Sequence, residues 1–373
     1  MHKVKSIEVY YKDRLVGTMA LYRGMLAAFE YSYEWLKDGF SISPFSLPLE
    51  QKVFIPRIDP CDGLFGVFSD SLPDGWGRLL VDRLMKKKGM NPYEIGNLDR
   101  LAIVGASGMG ALTYRPGISL EQSDIKLSLD EIAQECKMLL ETNEADQLDY
   151  LFKNGGSSGG ARPKILTKVD GEDWIIKFPS SDDGDNMGRQ EYEYAICAKA
   201  CGIEMEEVCL FPSKVCDGYF GTKRFDRRDG RRIHMVPAAG LLETSHRIPN
   251  LDYDLLMKLT FQLTHTMDEC EKLYRRMCFN VFAHNRDDHS KNFTYQYFEK
   301  ENCWKLSPAY DLTFSYSIGG EHATTIHGNG SDPGIKDLLE VAKGIGISKP
   351  KAKSIAEDIR CCVEEQLGEY VKR

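Results

Sequence analysis

The sequence predicts an α+β protein in which an antiparallel-sheet lobe is followed by a helical lobe, with a small α+β module ahead of both. Three observations predict this. Short β-branched runs joined by Asp-Gly pairs occupy the middle of the chain, and that pairing marks tight hairpins. Beyond Pro237 the apolar residues recur at i, i+3, i+4 and i+7, the period of helices that bury one face. Between two such helical stretches and a later β run lies one dense polar loop, inside Phe279 to Phe293 (FNVFAHNRDDHSKNF). The expected divisions are residues 1–117, 118–237 and 238–373.

Composition narrows the function classes. At 373 residues, 42% hydrophobic and 28% charged, the chain can build two or three ordinary soluble cores. A formal net charge of −8 argues against sequence-independent DNA binding by the whole surface, which needs a positive field to release phosphate counterions. No apolar run approaches the roughly 20 residues of a membrane span. The start, MHKVKSIEVYYKD, has no apolar export core, so a cytoplasmic protein is expected. The 11 cysteines form no Cys-x-x-Cys pair; with no export signal they read as reduced, mostly buried thiols, and no metal–thiolate site is assigned.

In the first module, Val4 to Tyr11 and Leu15 to Leu21 read as a hairpin across Lys12-Asp13, and FSISPFSLPLE as an extended or edge segment around Pro44 and Pro48. Leu79, Leu80, Leu84 and Met85 recur at helical spacing after Asp74, with Gly89 as the stop. A shorter helix through Leu98 to Ile103 ends in GASGMGAL. Glycines there can admit an anion to the backbone, but no strand precedes the run and no Lys-Ser or Lys-Thr follows, so it reads as a tight turn. Residues 117 to 150 are acidic and amphipathic; Leu129, Ile132, Cys136, Leu139 and Leu140 share one helical face.

The second division opens on Asn154-Gly-Gly-Ser-Ser-Gly-Gly-Ala-Arg-Pro-Lys164, then two β runs, KILTKV and WIIKF, around Asp170-Gly171. The glycine loop is therefore placed at the lip of an antiparallel sheet, where it suits nucleotide phosphates; a flexible linker is the plainer alternative. Lys177 alternates with apolar neighbours, and a half-buried ammonium wants an anionic partner. Glu191 on the following helix is one candidate, Glu193 the other. Val208 to Phe211, Tyr219 to Phe225 and Arg232 to Val236 read as further strands. The basic run KRFDRRDGRR between the last two reads as a solvated hairpin tip in preference to a patch for an acidic partner.

In the helical division, LDYDLLMKLTFQLTH and CEKLYRRMCFNVFAH are core helices, and the second delivers the polar loop. Asp287 followed five residues on by Asn292 has the spacing of a protein-kinase catalytic loop, where the Asp accepts a hydroxyl proton and the Asn holds a metal ion. NFTYQYF and CWKLSPAYDLTF read as two short strands that bring Asn292 and Asp311 together to share Mg²⁺. The fold class is accordingly a protein-kinase-like two-lobed core behind the N-terminal α+β module. A rival reading makes His284, Asp287, Asp288 and His289 the ligands of a metal-dependent hydrolase, which leaves the glycine loop, Lys177 and Asp311 without roles. Another keeps the kinase fold as a catalytically inactive interaction module.

Over its whole length the chain resembles the HipA family, the serine/threonine kinase toxins of bacterial toxin–antitoxin modules. FEYSYEWL, SLPL, SDSLPDGWGR and GASGMGAL resemble the family's N-terminal part, and GGARPK, WIIKFP, RFDRR, NRDDHSKNF and SPAYDL its kinase core. The resemblance implies an ATP- and Mg²⁺-dependent enzyme with Asp287 as catalytic base, Asn292 and Asp311 as Mg²⁺ ligands and Lys177 on the nucleotide phosphates. It gives His289 a loop-ordering role, Lys291 a phosphate-side role, and the segment of Lys223, Arg224 and Phe225 the adenine. It places Ser157, Ser158, Gly159 and Gly160 in a nucleotide-covering loop whose serine, Ser157 or its neighbour Ser158, is autophosphorylated. It implies a protein substrate, in some members an aminoacyl-tRNA synthetase, and a helix-turn-helix antitoxin through which DNA is contacted indirectly.

Overall fold

The computed structural model describes residues 4–118, 126–181, 183–316 and 318–372. The stretch 119–125 of the acidic connecting segment and the first three residues of the chain lie outside them. The protein divides into two compact units, Met1–Gly188 with Cys209–Val236 and Gly240–Glu243, and Arg189–Val208 with Pro237–Ala239 and Thr244–Arg373.

The first unit holds two larger sheets and a two-stranded hairpin among the described residues. One runs in the order Val53–Phe54, Leu26–Tyr31, Arg14–Tyr22, Ser6–Tyr11, Leu112–Arg115. Its first hairpin turns at Lys12-Asp13, both with left-handed φ (47° and 62°), which joins Tyr11 to Arg14 across a two-residue loop. Strand period 2 sends Ile7, Val9 and Tyr11 inward. The other sheet has the order Lys164–Val169, Glu172–Lys177, Tyr219–Lys223, Val208–Phe211, and its first hairpin turns at Asp170-Gly171 (φ 52° and 85°) as expected. Against it packs one core cluster. Trp76 and Leu80 of the helix Gly75–Lys87 meet Ile132, Cys136 and Leu139 of the helix Leu129–Thr142, together with Ile165 and Ile176. The latter helix is started by a capping box: Ser128 Oγ accepts from the Glu131 amide (3.3 Å), and Glu131 accepts from the Ser128 amide (2.7 Å).

The basic run departs from its expectation. Arg227–Arg228 and Arg231–Arg232 do form a hairpin around Asp229-Gly230, but only its tip is solvated. Arg224 chelates the fully buried Asp226 with two hydrogen bonds of 2.9 Å, and Arg227 adds a third at 2.7 Å. Arg227 Nη1 and Arg232 Nε donate to the Gly110 carbonyl, while Asp226 takes the Gly110 amide at 2.7 Å. The glycine run 105–110 is thus a turn whose bare carbonyls receive arginines. The physical reason for folding the charge inward is the Asp226 carboxylate, which a local charge count cannot locate in depth.

The second unit is mostly helical. Its framework is the helices Tyr253–Thr264, Met267–Phe282, Ile335–Ile345 and Lys349–Gln366, with most of Met187–Ala200. Thr266 caps Met267–Phe282 by accepting from the Glu269 amide at 3.3 Å, and Asp268 and Glu269 complement its N-terminal dipole. The two predicted strands form the hairpin Thr294–Phe298 and Cys303–Leu306, with Tyr295 opposite Leu306, but both are shorter than expected: Asn292 lies in the turn Ser290–Asn292 before the first, and Asp311 lies beyond the end of the second. A short parallel pairing of Leu251–Asp252 with Thr324–Thr325 joins segments that no local pattern connects.

Candidate active site

In the second unit the polar loop begins where the helix Met267–Phe282 ends. Ala283 closes the helix, and His284 takes a left-handed φ of 52° that turns the chain out. Asn285 is buried; its amide donates to the Asn280 carbonyl and its Nδ2 to Asn280 Oδ1, both at 2.9 Å. Asn280 Nδ2 donates to the Tyr253 hydroxyl (2.9 Å), which donates to Asp288 Oδ2 (3.0 Å). Asp288 also accepts from His322 Nδ1 (3.0 Å) and the Thr324 amide (3.1 Å), and the Thr324 hydroxyl donates to its backbone carbonyl. Burial, with the Asp288 carboxylate adding to it, holds the Tyr253 hydroxyl well above its ordinary range, so it remains a donor.

That network separates two consecutive aspartates. The Asp288 side chain is wholly buried, whereas that of Asp287 is 63% exposed. Asn292 Nδ2 donates to the Asp287 backbone carbonyl at 2.7 Å, and the Asn292 amide donates to the His289 carbonyl at 2.8 Å. These two bonds close the loop over five residues. His289 Nδ1 accepts from the Lys291 amide (3.3 Å), and its Nε2 stands 3.9 Å from Asp287 Oδ1. The Tyr310 hydroxyl donates to the Lys291 carbonyl at 2.5 Å and lies 2.6 Å from Thr294 Oγ1. It thereby clasps the segment before Asp311 to the segment that holds Asn292. Asp311 is half-buried, with a left-handed φ of 52°.

The first unit carries the other candidates. Lys177 ends the strand Glu172–Lys177, half-buried, with its ammonium 5.5 Å from the Phe220 ring centroid. Lys223 ends the strand Tyr219–Lys223, with its ammonium 6.0 Å from the Trp174 ring, and Phe225, half-buried, follows. The glycine loop is held on both sides. Its Gly159 carbonyl accepts from Lys164 Nζ (2.7 Å), its Gly160 carbonyl from the Trp76 amide (2.9 Å), and the Gly160 amide donates to Asp74 Oδ1. Asp74 sits at the N-cap of the helix Gly75–Lys87 but directs its carboxylate at the loop. Ser158 is buried, with Oγ donating to the Gly155 carbonyl (2.6 Å); Ser157 is half-buried, with Oγ donating to the Ser107 carbonyl (2.9 Å). In the second unit, Glu191 is 3% exposed, and Glu193 takes the Tyr370 hydroxyl at 2.6 Å.

Asn280, Tyr253, His322 and Tyr310 escaped the linear reading. Each acts through a partner 16 to 35 residues distant, or through Asn285 five residues on, and carries no motif of its own. Chemically, the second unit holds an exposed carboxylate, Asp287, on a fixed backbone, and the oxygen donors that Asn292 and Asp311 offer are of the hard kind that suits Mg²⁺ rather than a thiophilic ion. His284 is lowered by burial first and then by Arg286 and His322, so it stays neutral. Among the described residues the hydrolase set does not assemble, because Asp288 is turned into the interior network while Asp287 faces solvent.

An α+β architecture with an antiparallel-sheet unit and a helical unit carrying such a loop is kinase-like. Residues 7–115 match the HipA N-terminal domain and residues 156–367 the HipA-like C-terminal domain. The chain belongs to the HipA family. It is similar to the HipA of Shewanella oneidensis MR-1, solved as a toxin–antitoxin complex with HipB and operator DNA. The TM-score is 0.72 at 18% identity, over 97% of this chain and 90% of that one. The Helicobacter pylori proinflammatory kinase CtkA aligns over 56% of this chain and 91% of its own, with a TM-score of 0.37 and 14% identity. Among curated proteins, none matches the chain. Among the described residues no helix is long and apolar enough to cross a membrane.

Proposed function

We propose that this HipA-family chain is an ATP- and Mg²⁺-dependent protein serine/threonine kinase, the toxin of a type II toxin–antitoxin pair, that also phosphorylates its own glycine loop. The observation that carries the reading is the loop geometry: an exposed Asp287 stands on a backbone gripped by Asn292 and anchored by the buried Asp288. Asp287 orients the acceptor hydroxyl and takes its proton as the oxygen bonds to the γ-phosphorus and the bond to the β–γ bridging oxygen breaks. Lys177 supplies a point charge for the phosphates, the backbone of Ser157 to Gly160 covers them, and Lys223 and Phe225 hold the adenine. His289 orders the loop, and Lys291 faces the phosphate side. Asn292 and Asp311 would hold Mg²⁺, which would supply positive charge to the nucleotide phosphates. Positioning and electrostatics carry the rate enhancement.

Burial favours Ser157 over Ser158 as the self-phosphorylated residue. A phosphate adds about −1.5 to −2 charge and cannot share the Ser107 carbonyl that now receives the Ser157 hydroxyl, so modification should dislodge the loop. The Shewanella complex supports a helix-turn-helix partner of HipB type, through which operator DNA is contacted.

Intact-mass spectrometry before and after incubation with Mg·ATP, wild type beside Asp287→Ala, tests the reading. The expected result is one added phosphate in wild type only, mapped to Ser157. Phosphorylation of the Asp287→Ala protein removes Asp287 as the base. No phosphate on wild type that still binds ATP points to the inactive interaction module instead.

A further inference from the structure

The second unit contains a set of donors unlike the hard oxygens around Asp287. Cys197 lies in the last turn of the helix Met187–Ala200, and Cys201 follows four residues on, so the two thiols leave the same face. The helix Lys349–Gln366 brings Cys362 against them. The three Sγ atoms lie within 4.8 Å of one another. Among the described residues no other three His, Cys, Asp or Glu side chains converge in this way. Cys197 and Cys201 are buried; Cys362 is half-buried, and Gln366 Nε2 donates to its sulfur at 3.4 Å. The cluster is closed by protein on one side and reachable from the other.

The spacing nearly suits a metal ion already. Thiolates bound tetrahedrally at about 2.3 Å stand roughly 3.8 Å apart, so side-chain adjustment of under about 1 Å completes the geometry. All three thiols give up their protons as an ion arrives.

We propose that Cys197, Cys201 and Cys362 form a thiolate site for one zinc-class divalent ion, which ties the helix Met187–Ala200 to the helix Lys349–Gln366. Three sulfur donors exclude magnesium, calcium and manganese as occupants. A divalent ion is favoured over a monovalent one, because three thiolates leave a net charge of −1 around the former and −2 around the latter in a largely buried site. Binding forms three metal–sulfur bonds, releases the protons of the thiols and oxidises nothing; water or the Gln366 side chain takes the fourth position. Glu191 lies on the same helix as Cys197, so occupancy stiffens the element that presents this carboxylate. That consequence for activity rests on the kinase reading; the metal site does not.

The test is titration of the reduced, metal-stripped full-length protein with Co²⁺ and then Zn²⁺. The expected result is one Co²⁺ per chain with sulfur-to-cobalt charge-transfer absorption, bleached by Zn²⁺. Cys197→Ser and Cys362→Ser should each weaken binding by more than about 100-fold, beyond what loss of an outer-shell contact costs. Cys361→Ser, at the exposed neighbouring thiol, should bind as wild type. Circular dichroism checks that the variants fold, and Cys362→Ala is a second variant at the half-buried position. Absence of the charge-transfer band, or wild-type affinity in folded Cys362→Ser or Cys362→Ala, overturns the proposal. So does an air-formed disulfide among the three whose reduction restores no ion uptake. None of these readouts needs kinase activity.

Discussion

Asp287 and Asp288 carry the same carboxylate, and their surroundings give them separate work, since one stands in solvent while the other closes a network reaching Tyr253, His322 and Thr324. Removing the buried group strands its partners without acceptors, so Asp288→Ala should cost about 3–5 kcal/mol of stability. Asp287→Ala should stay within about 0.5 kcal/mol while losing phosphoryl transfer. Urea denaturation of the two variants decides the matter, and equal losses would remove the division of roles. His234 offers a pH test. It is 1% exposed; burial lowers it to about 4 against the opposing hydrogen bond with the Ile42 carbonyl. Its folded pKa lies below the unfolded value of about 6.5. Stability is therefore full above about pH 6.5 and falls as the pH drops towards 4, by up to roughly 3 kcal/mol. The Asp226 carboxyl, which burial would raise but Arg224 and Arg227 hold below its ordinary value, adds its loss at lower pH still. Denaturation between pH 7 and 4.5 should show the His234 slope in wild type and a shallower one in His234→Gln.

At the scale of elements, turn chemistry is local and therefore readable. Lys12-Asp13 and Asp170-Gly171 turn where the sequence places them, and the two helices before the polar loop form where their period predicts them. The docking of the glycine loop is not local. A Cβ on Gly77 would lie 2.2 Å from the Ser158 carbonyl, and one on Gly75, at φ 43°, 2.3 Å from the Gly160 carbonyl. These glycines exist to let the loop backbone approach the helix start. Gly77→Ala should destabilise by about 1–3 kcal/mol through this clash. It should also speed proteolysis within residues 156–162. Unchanged cleavage would mean the loop is held by other contacts.

At the scale of the molecule, the net charge of −8 disfavours sequence-independent DNA binding by the chain's own surface. Fluorescence anisotropy at physiological salt should show no retention of duplex DNA by the chain alone. Tight, salt-insensitive binding would contradict this. The order of elements, the hairpin turns and the five-residue step from Asp287 to Asn292 are legible in the linear chain, because residue type, periodicity and short-range turn conformation set them. Three things are not. The burial of Asp288 in place of Asp287 depends on His322, 34 residues away. The inward fold of Arg227 and Arg232 depends on carbonyls 117 to 124 residues earlier. The meeting of Cys197 with Cys362 spans 165 residues. Depth and partnership at such separations come from how whole elements pack, and no local propensity encodes them.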